Sequence, residues 1–290
     1  EAIFFSLETH PEFGYDLMKN QLPFGCHAAF ELNAEFWKNL IPFVQVHERK
    51  QPLVSIVCVT YNAASCISEC IESVLAQRCA DDIELVIMDG KSTDGTQEIL
   101  KKYDDKITYW KSEVDKGIYD AINKALNHIH GRWVYFMGAD DRLSCGFSYF
   151  VENELNNDLK IYYASVLWKG MRKKGFLSDY RQAKEGIFHQ AIIYPASVFK
   201  KYKYNTEYPV SADYELNLRL HGDNTYKFIF RDYILAYFNH TGISSYGPEE
   251  VFLQNKKRLV MQNFGVITRF KYVLSEFLEK VFGIKFEYKD

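Results

Sequence analysis

The chain has 290 residues, 47% of them hydrophobic and 25% charged, with 35 Lys and Arg against 38 Asp and Glu for a formal net charge of −3 at pH 7. That balance excludes a disordered tail protein and offers no basic footprint for nucleic acid, so no nucleic-acid partner is expected. At roughly 100–200 residues per domain, the length allows one large or two small folded units.

Residues 1–20 lack the basic-then-apolar pattern of a secretory leader, and no apolar run is long enough to span a bilayer. The six cysteines include no C-x-x-C pair, which reads as a reduced, cytoplasmic chain, peripheral at the inner face of a membrane at most. The chain starts at Glu1, and residues 23–43 (PFGCHAAFELNAEFWKNLIPF) read as the end of a preceding domain. Residues 1–51 are therefore taken as an N-terminal extension, closed by the polar run HERKQ before Pro52.

Residues 54–59 (VSIVCV) form a continuous β-branched run, as expected of a strand buried on both faces of a parallel sheet. Ile67, Ile71, Val74 and Leu75 recur at helical spacing, residues 83–88 (IELVIM) read as a second strand, and residues 94–103 as a second helix. A third strand is expected at 107–110, an amphipathic helix at 118–129 and a fourth strand at 133–137 (WVYFM). This alternation predicts an α/β fold with a doubly wound, mostly parallel sheet, whose ligand sits beyond the carboxyl ends of the strands. Beyond Asp141 the pattern becomes α+β, with strands at 161–167, 189–194, 226–232 and 234–238 and a helix at 212–220. Residues 249–290 read as helical. Residues 256–290 carry eight Lys and Arg against four Asp and Glu, so the amphipathic stretch 264–282 faces either acidic lipid head groups or a protein surface.

Polar residues close three of the strands: Thr60-Tyr61-Asn62, Asp89-Gly90-Lys91-Ser92-Thr93-Asp94-Gly95-Thr96 and Gly138-Ala139-Asp140-Asp141. Each alone reads as a turn with helix caps. Two neighbouring carboxylates about 4 Å apart repel by roughly 4 kcal/mol at an effective dielectric of 20, a penalty that a cation removes. In extended backbone one of the pair reaches a metal while the other turns to a ribose or a structural donor, and all-oxygen ligation suits Mg²⁺ or Mn²⁺ bridged to phosphates.

The order of Thr60-Tyr61-Asn62, ECIESVLAQ (69–77), VIMDGKSTDGT (86–96), DKGIYDAINKA (115–125) and GADD (138–141) resembles the family-2 glycosyltransferases of the GT-A fold. The likeness is dense over 52–145 and looser to about 245. It implies a GT-A domain at 52–248, with a nucleotide-sugar half at 52–145 and an acceptor half at 146–248, followed by a C-terminal helical segment at 249–290. It also implies that Thr60, Tyr61 and Asn62 line the nucleobase pocket and that Asp89 bonds the base. Asp115, Lys116 and Gly117 pass near base and ribose, and Asp140 and Asp141 serve donor and metal. Many family members carry a second Asp at the place of Gly90 and a leading Asp at that of Gly138. The Gly138 departure leaves the metal to Asp140 and Asp141.

In the acceptor half, VSADYELNLRL (210–220) resembles the segment that carries the general base, which makes Asp213 the candidate. Asp120 and Asn123, the pair His189-Gln190, and His240 in the loop HTGISS are candidate acceptor or diphosphate contacts. The implied activity is inverting, metal-dependent transfer of a sugar from a nucleoside diphosphate donor, UDP by expectation, to a glycan or lipid-linked acceptor in surface polysaccharide synthesis. The rival is a catalytically silent nucleotide-sugar-binding module of a larger assembly. A nucleotidyltransferase would need a Gly-rich basic loop after the first strand, and Thr60-Tyr61-Asn62-Ala63-Ala64 supplies none.

Overall fold

The structure, a computed structural model, describes residues 51–173, 175–239 and 247–283. Its first strand, β1 (Val54–Thr60), pairs in parallel with β2 (Ile83–Asp89) and with β4 (Trp133–Gly138), while β3 (Tyr109–Ser112) adds in parallel to β2. Side chains alternate across these strands, so each feeds two cores at once. Ile56 and Cys58 of β1, Leu85 and Ile87 of β2, and Trp133, Tyr135 and Met137 of β4 point into one core. Val57, Val86, Met88, Val134 and Phe136 point into the other.

Helices cover both faces. Ile67, Ile71 and Val74 of α1 (Ile67–Leu75) and Leu100 of α2 (Thr96–Lys102) fill the first core. Each such aliphatic side chain contributes about 1.5–3 kcal/mol when fully buried. Tyr119, Ile122 and Ala125 of α3 (Ile118–Ala125) fill the second. Gly95, in the left-handed region at φ 102°, precedes α2, and Asp94 accepts hydrogen bonds from the Thr96 amide at 3.1 Å and hydroxyl at 2.6 Å.

The remaining strands are β5 (Arg142–Leu143), β6 (Lys160–Trp168), β7 (Met171–Lys173), β8 (Ile192–Pro195) and β9 (Lys227–Tyr237). They extend one sheet in the order β3-β2-β1-β4-β8-β6-β9-β5, with β7 beside β6. The β8 strand runs antiparallel to β4 and β6, whereas β6 and β9 are parallel. The helices of this part are α4 (Cys145–Glu154), α5 (Asp179–Glu185), α6 (Ser197–Lys201), α7 (Ala212–His221), α8 (Glu250–Asn263) and α9 (Val266–Phe282).

Helices α4, α5 and α6 are not expected from the sequence, and four other departures stand out. The third strand lies two residues later than expected. The helix expected to 129 ends at Ala125, and the chain then turns so that His128 stacks on Tyr109 with ring centroids 3.8 Å apart. The strands expected at 226–232 and 234–238 are one strand, with a register irregularity against β6 at Tyr163–Val166. His189 and Gln190 lie in a 3₁₀ turn (His189–Ala191) before β8, closed by the Ala191 amide donating to the Phe188 carbonyl at 2.9 Å. Among the described residues no helix is long and apolar enough to cross a membrane.

Candidate active site

Because β1, β2 and β4 are parallel neighbours, their carboxyl ends open at one edge, with Thr60 opposite Asp89 and Val59 opposite Gly138. Beyond β1, Tyr61 is 67% exposed, and Asn62 takes the left-handed conformation at φ 48°, which asparagine tolerates. The Asn62 amide donates to Ser92 Oγ at 2.7 Å, and its side-chain oxygen accepts from the Thr93 amide at 3.0 Å, so the first two strand-end loops are laced together. The Thr60 carbonyl accepts from the Gly90 amide at 2.8 Å, while Thr60 Oγ1 is buried with no partner among the described residues.

Asp89 is buried at this edge. It is 1% exposed, and its carboxylate accepts from the Ser92 amide at 3.0 Å, the Ser112 hydroxyl at 2.6 Å and the Ser92 hydroxyl. Its oxygens tie the β2 loop to β3. The half-buried Asp115 stands beside Gly90. A β-carbon on Gly90 would come within 2.7 Å of Asp115 Oδ2 and 3.3 Å of the Tyr61 ring. The Gly117 amide, in a residue at φ 114°, donates to Asp115 Oδ1 at 2.8 Å and orients the group. The absence of a side chain at Gly90 makes room for a carboxylate arriving from another loop.

The two carboxylates after β4 have divided their work. Asp141 is 1% exposed, and its oxygens accept from the Gly138 amide at 2.8 Å, Gln190 Nε2 at 2.9 Å and the Asn239 amide at 3.1 Å. Burial pushes its carboxyl up to about 6, against the pull of those donors. Asp141 therefore fastens the end of β4 to the His189–Ala191 turn and to the end of β9. Asp140 is half-buried beside it. A β-carbon on Gly138 would lie 2.9 Å from Asp140 Oδ1 and 3.1 Å from Asp141 Oδ2, so glycine there gives both carboxylates their room.

Among the described residues no cluster of three or more His, Cys, Asp or Glu is arranged to hold a metal ion. One carboxylate at a strand end does fit Mg²⁺ or Mn²⁺ of the kind that takes one or two protein carboxylates and completes its shell with phosphate oxygens and water.

On the other side of the His189–Ala191 turn stands the first turn of α7. Asp213, half-buried in the first turn of α7, accepts a hydrogen bond through Oδ1 from the Tyr119 hydroxyl at 2.8 Å, and the same hydroxyl lies 3.0 Å from the Val210 carbonyl. Tyr119 stacks on Tyr204 at 5.3 Å, and the Tyr204 hydroxyl meets His189 Nε2 at 2.9 Å. The His189 ring stacks on Phe136 of β4 at 4.7 Å, and desolvation there holds its pKa below the ordinary histidine value. The consecutive residues His189 and Gln190 thus link the surroundings of Asp213 to Asp141.

Two further candidates have partners within the fold. The Asn123 side chain is spent on the Tyr204 backbone, donating to its carbonyl at 2.9 Å and accepting from its amide at 3.0 Å. Asp120 accepts from the Lys116 amide at 3.0 Å and pairs with Lys124 at 3.2 Å, so it shapes the Asp115–Gly117 loop from behind. Lys116 is exposed at the tip of that loop. His240 lies outside the described residues. A cavity of about 550 Å³ lined by Tyr163, Phe176, Asp179, Gln182 and Phe230 shares no residue with this site.

Sequence reasoning missed Tyr119, Tyr204 and Asn239. Tyr119 alone left a signal: it adjoins the face of α3 defined by Ile118, Ile122 and Ala125, where a hydroxyl needs a partner.

Solved structures share this architecture. S. aureus TarS 1–349 in complex with UDP-GlcNAc matches with a TM-score of 0.60 at 19% identity, over 80% of this chain and 73% of that one. The chain spans 44% of a longer TarS chain, matched with a TM-score of 0.55. The mannosyltransferase PcManGT from Pyrobaculum calidifontis, in complex with GDP-Man and Mn²⁺, matches with a TM-score of 0.53 at 15% identity, over 90% of this chain and 74% of that one. The fold is therefore that of the GT-A transferases.

In sequence, the PGL/p-HBAD biosynthesis glycosyltransferase of Mycobacterium tuberculosis is 30% identical over 223 residues, 72% of this chain and 85% of that protein. An uncharacterized glycosyltransferase of Methanocaldococcus jannaschii is 29% identical over 214 residues, 66% of this chain and 72% of that protein. The signature of glycosyl transferase family 2 matches residues 55–209. The chain belongs to glycosyl transferase family 2 and is a glycosyltransferase.

Proposed function

We propose that the chain catalyses inverting transfer of a sugar from a nucleoside diphosphate donor, a UDP-sugar, to a hydroxyl of a glycan or lipid-linked acceptor in surface polysaccharide synthesis. The observation that carries this reading is the His189-Gln190 turn, which joins a donor-side acid pair at Asp140–Asp141 to an acceptor-side carboxylate at Asp213. TarS bound to UDP-GlcNAc and PcManGT bound to GDP-Man and Mn²⁺ support a nucleotide-sugar donor. The division into a nucleotide half at 52–145 and an acceptor half at 146–248 belongs to the same reading.

The uracil stacks near Tyr61 and donates its N–H to Asp115 Oδ2, which stands over Gly90. Asp140 is the residue that would hold Mg²⁺ or Mn²⁺ together with the diphosphate. The ion, when bound, offsets the negative charge that grows on the departing diphosphate. Lys116 adds positive charge from the exposed loop. The acceptor oxygen bonds to the anomeric carbon as the bond to the diphosphate oxygen breaks. The electron pair leaves with the diphosphate, and the hydroxyl proton passes to Asp213. The helix dipole at the start of α7 favours the ionised carboxylate that this step needs.

The α9 helix exposes Val266, Ile267, Phe270, Leu274, Phe277 and Val281 along one side. At about 100° per residue, Lys271 borders that stripe on one flank and Lys280 on the other. Glu279 is turned to Lys184 of its own fold at 2.9 Å. Cations bordering an apolar stripe favour an anionic lipid surface, on which the helix lies flat.

The experiment is a donor screen by nucleotide release, with MnCl₂ or with chelator, on the parent chain, Asp140→Asn and Asp213→Asn. The expected result is release from a UDP-sugar that needs the divalent ion and Asp140. Asp213→Asn is expected to be about 10²–10⁴-fold slower with UDP binding retained. Tight UDP binding without release from any donor would favour the silent module.

A further inference from the structure

The proton-accepting carboxylate sits on α7, yet the group that holds it comes from α3, the helix that begins at the donor loop Asp115–Gly117. Tyr119 is buried, stacked on Tyr204, and its hydroxyl is fixed between Asp213 Oδ1 and the Val210 carbonyl at 2.8 and 3.0 Å. We propose that Tyr119 is the positioning residue of the transfer step, pinning one oxygen of Asp213 so that the other meets the acceptor hydroxyl. The inference rests on the reading of Asp213 as the base.

Hydrogen bonds to an ionised carboxylate are shorter and stronger than those to a neutral carbonyl, so the charged oxygen is the dominant acceptor of this hydroxyl. Burial, and then the Asp213 charge, hold the Tyr119 phenol well above its ordinary range, so it remains a donor throughout the neutral region. The other titratable side chains whose charge is felt with Asp213 are Tyr194 of β8, Tyr204 before α7, Tyr214 of α7 and His189 of the turn. Tyr194 and Tyr204 have their hydroxyls on Asn217 and His189, and Tyr214 donates to the Ala183 carbonyl. Tyr119 is the one of these whose hydroxyl is bonded to Asp213. It ties the base to the same helix that presents Asp115 and Lys116, so donor loop and base keep one geometry.

The test compares the full chain with Tyr119→Phe, Asp213→Asn and the double variant. Phe keeps the ring stacked on Tyr204 and removes only the donor. With the UDP-sugar that gives nucleotide release, Tyr119→Phe should lower kcat roughly tenfold, the loss expected of one hydrogen bond to a charged group, while donor KM and UDP affinity stay unchanged. The acidic limb of the pH profile should move to higher pH, because the ionised carboxylate has lost a donor that favoured it. In the Asp213→Asn background the same change should cost nothing further.

A loss of kcat uniform across pH, or an additive loss in the double variant, would overturn the proposal in favour of a packing role. Parental turnover by Asp213→Asn would instead remove the base reading itself. Independently of any donor, carbon-13 titration of the Asp213 carboxyl should move upward in Tyr119→Phe, and an unmoved titration overturns the proposal.

Discussion

Gly90 has no side chain, and Asp115 stands in the space so opened. The arrangement makes a residue-level prediction. Asp115→Asn should weaken UDP binding by about tenfold, the magnitude of a charge-assisted hydrogen bond, and leave CDP unaffected, since cytosine has no ring N–H to donate there. Gly90→Ala should act in the same direction by pressing on Asp115 Oδ2. Calorimetry with UDP and CDP checks both, and equal weakening of the two nucleotides would show that Asp115 is not the base contact. The motif made Asp89, Asp140 and Asp141 legible as acids at strand ends. It did not reveal that Asp89 and Asp141 spend their oxygens on backbone amides and neighbouring side chains from other segments, because those partners lie as far away in sequence as Gln190 and Asn239.

Among the elements, α7 carries the proposed base Asp213 at its first turn and an acid-sensitive anchor at its last. His221 is sandwiched between Phe228 and Phe264, each with ring centroids 4.3 Å away, and meets Gln182 Oε1 at 2.8 Å. Burial lowers its pKa to about 3 from an ordinary 6.5. Below pH 6.5 the unfolded chain takes up a proton that the folded one refuses, so this contribution to stability is present above 6.5 and is lost as pH falls toward 3. By pH 5 the loss reaches about 2 kcal/mol, or roughly 4–8 °C in Tm. His221→Gln should melt lower at pH 7 but lose less between pH 7 and 5. An unchanged slope in thermal melts would place the acid sensitivity elsewhere. Periodicity located α1 and α3 because each buries one apolar face. It misplaced β3 and the His189–Ala191 turn because short segments carry too few residues to set a period.

For the molecule as a whole, two layers of helices close the sheet and the carboxyl ends of β1, β2 and β4 share one edge, while α9 leaves a long apolar stripe outside. If that stripe meets lipid, the chain should sediment with vesicles containing anionic phospholipid and not with neutral ones. Phe270→Glu combined with Phe277→Glu should abolish sedimentation without lowering Tm, since both rings are exposed. Retained binding by the double variant, or equal binding to neutral vesicles, would point away from this face.

The amino-acid order by itself determined the βα alternation, the family motifs and the small set of acids from which donor and base groups are drawn, because hydrophobic period and motif spacing are local properties of a chain. Only the tertiary structure decided which of those acids are buried and which groups they bond. Burial and hydrogen-bond partners are set by segments up to about a hundred residues apart, as Asn239 is from Asp141 and Tyr119 from Asp213.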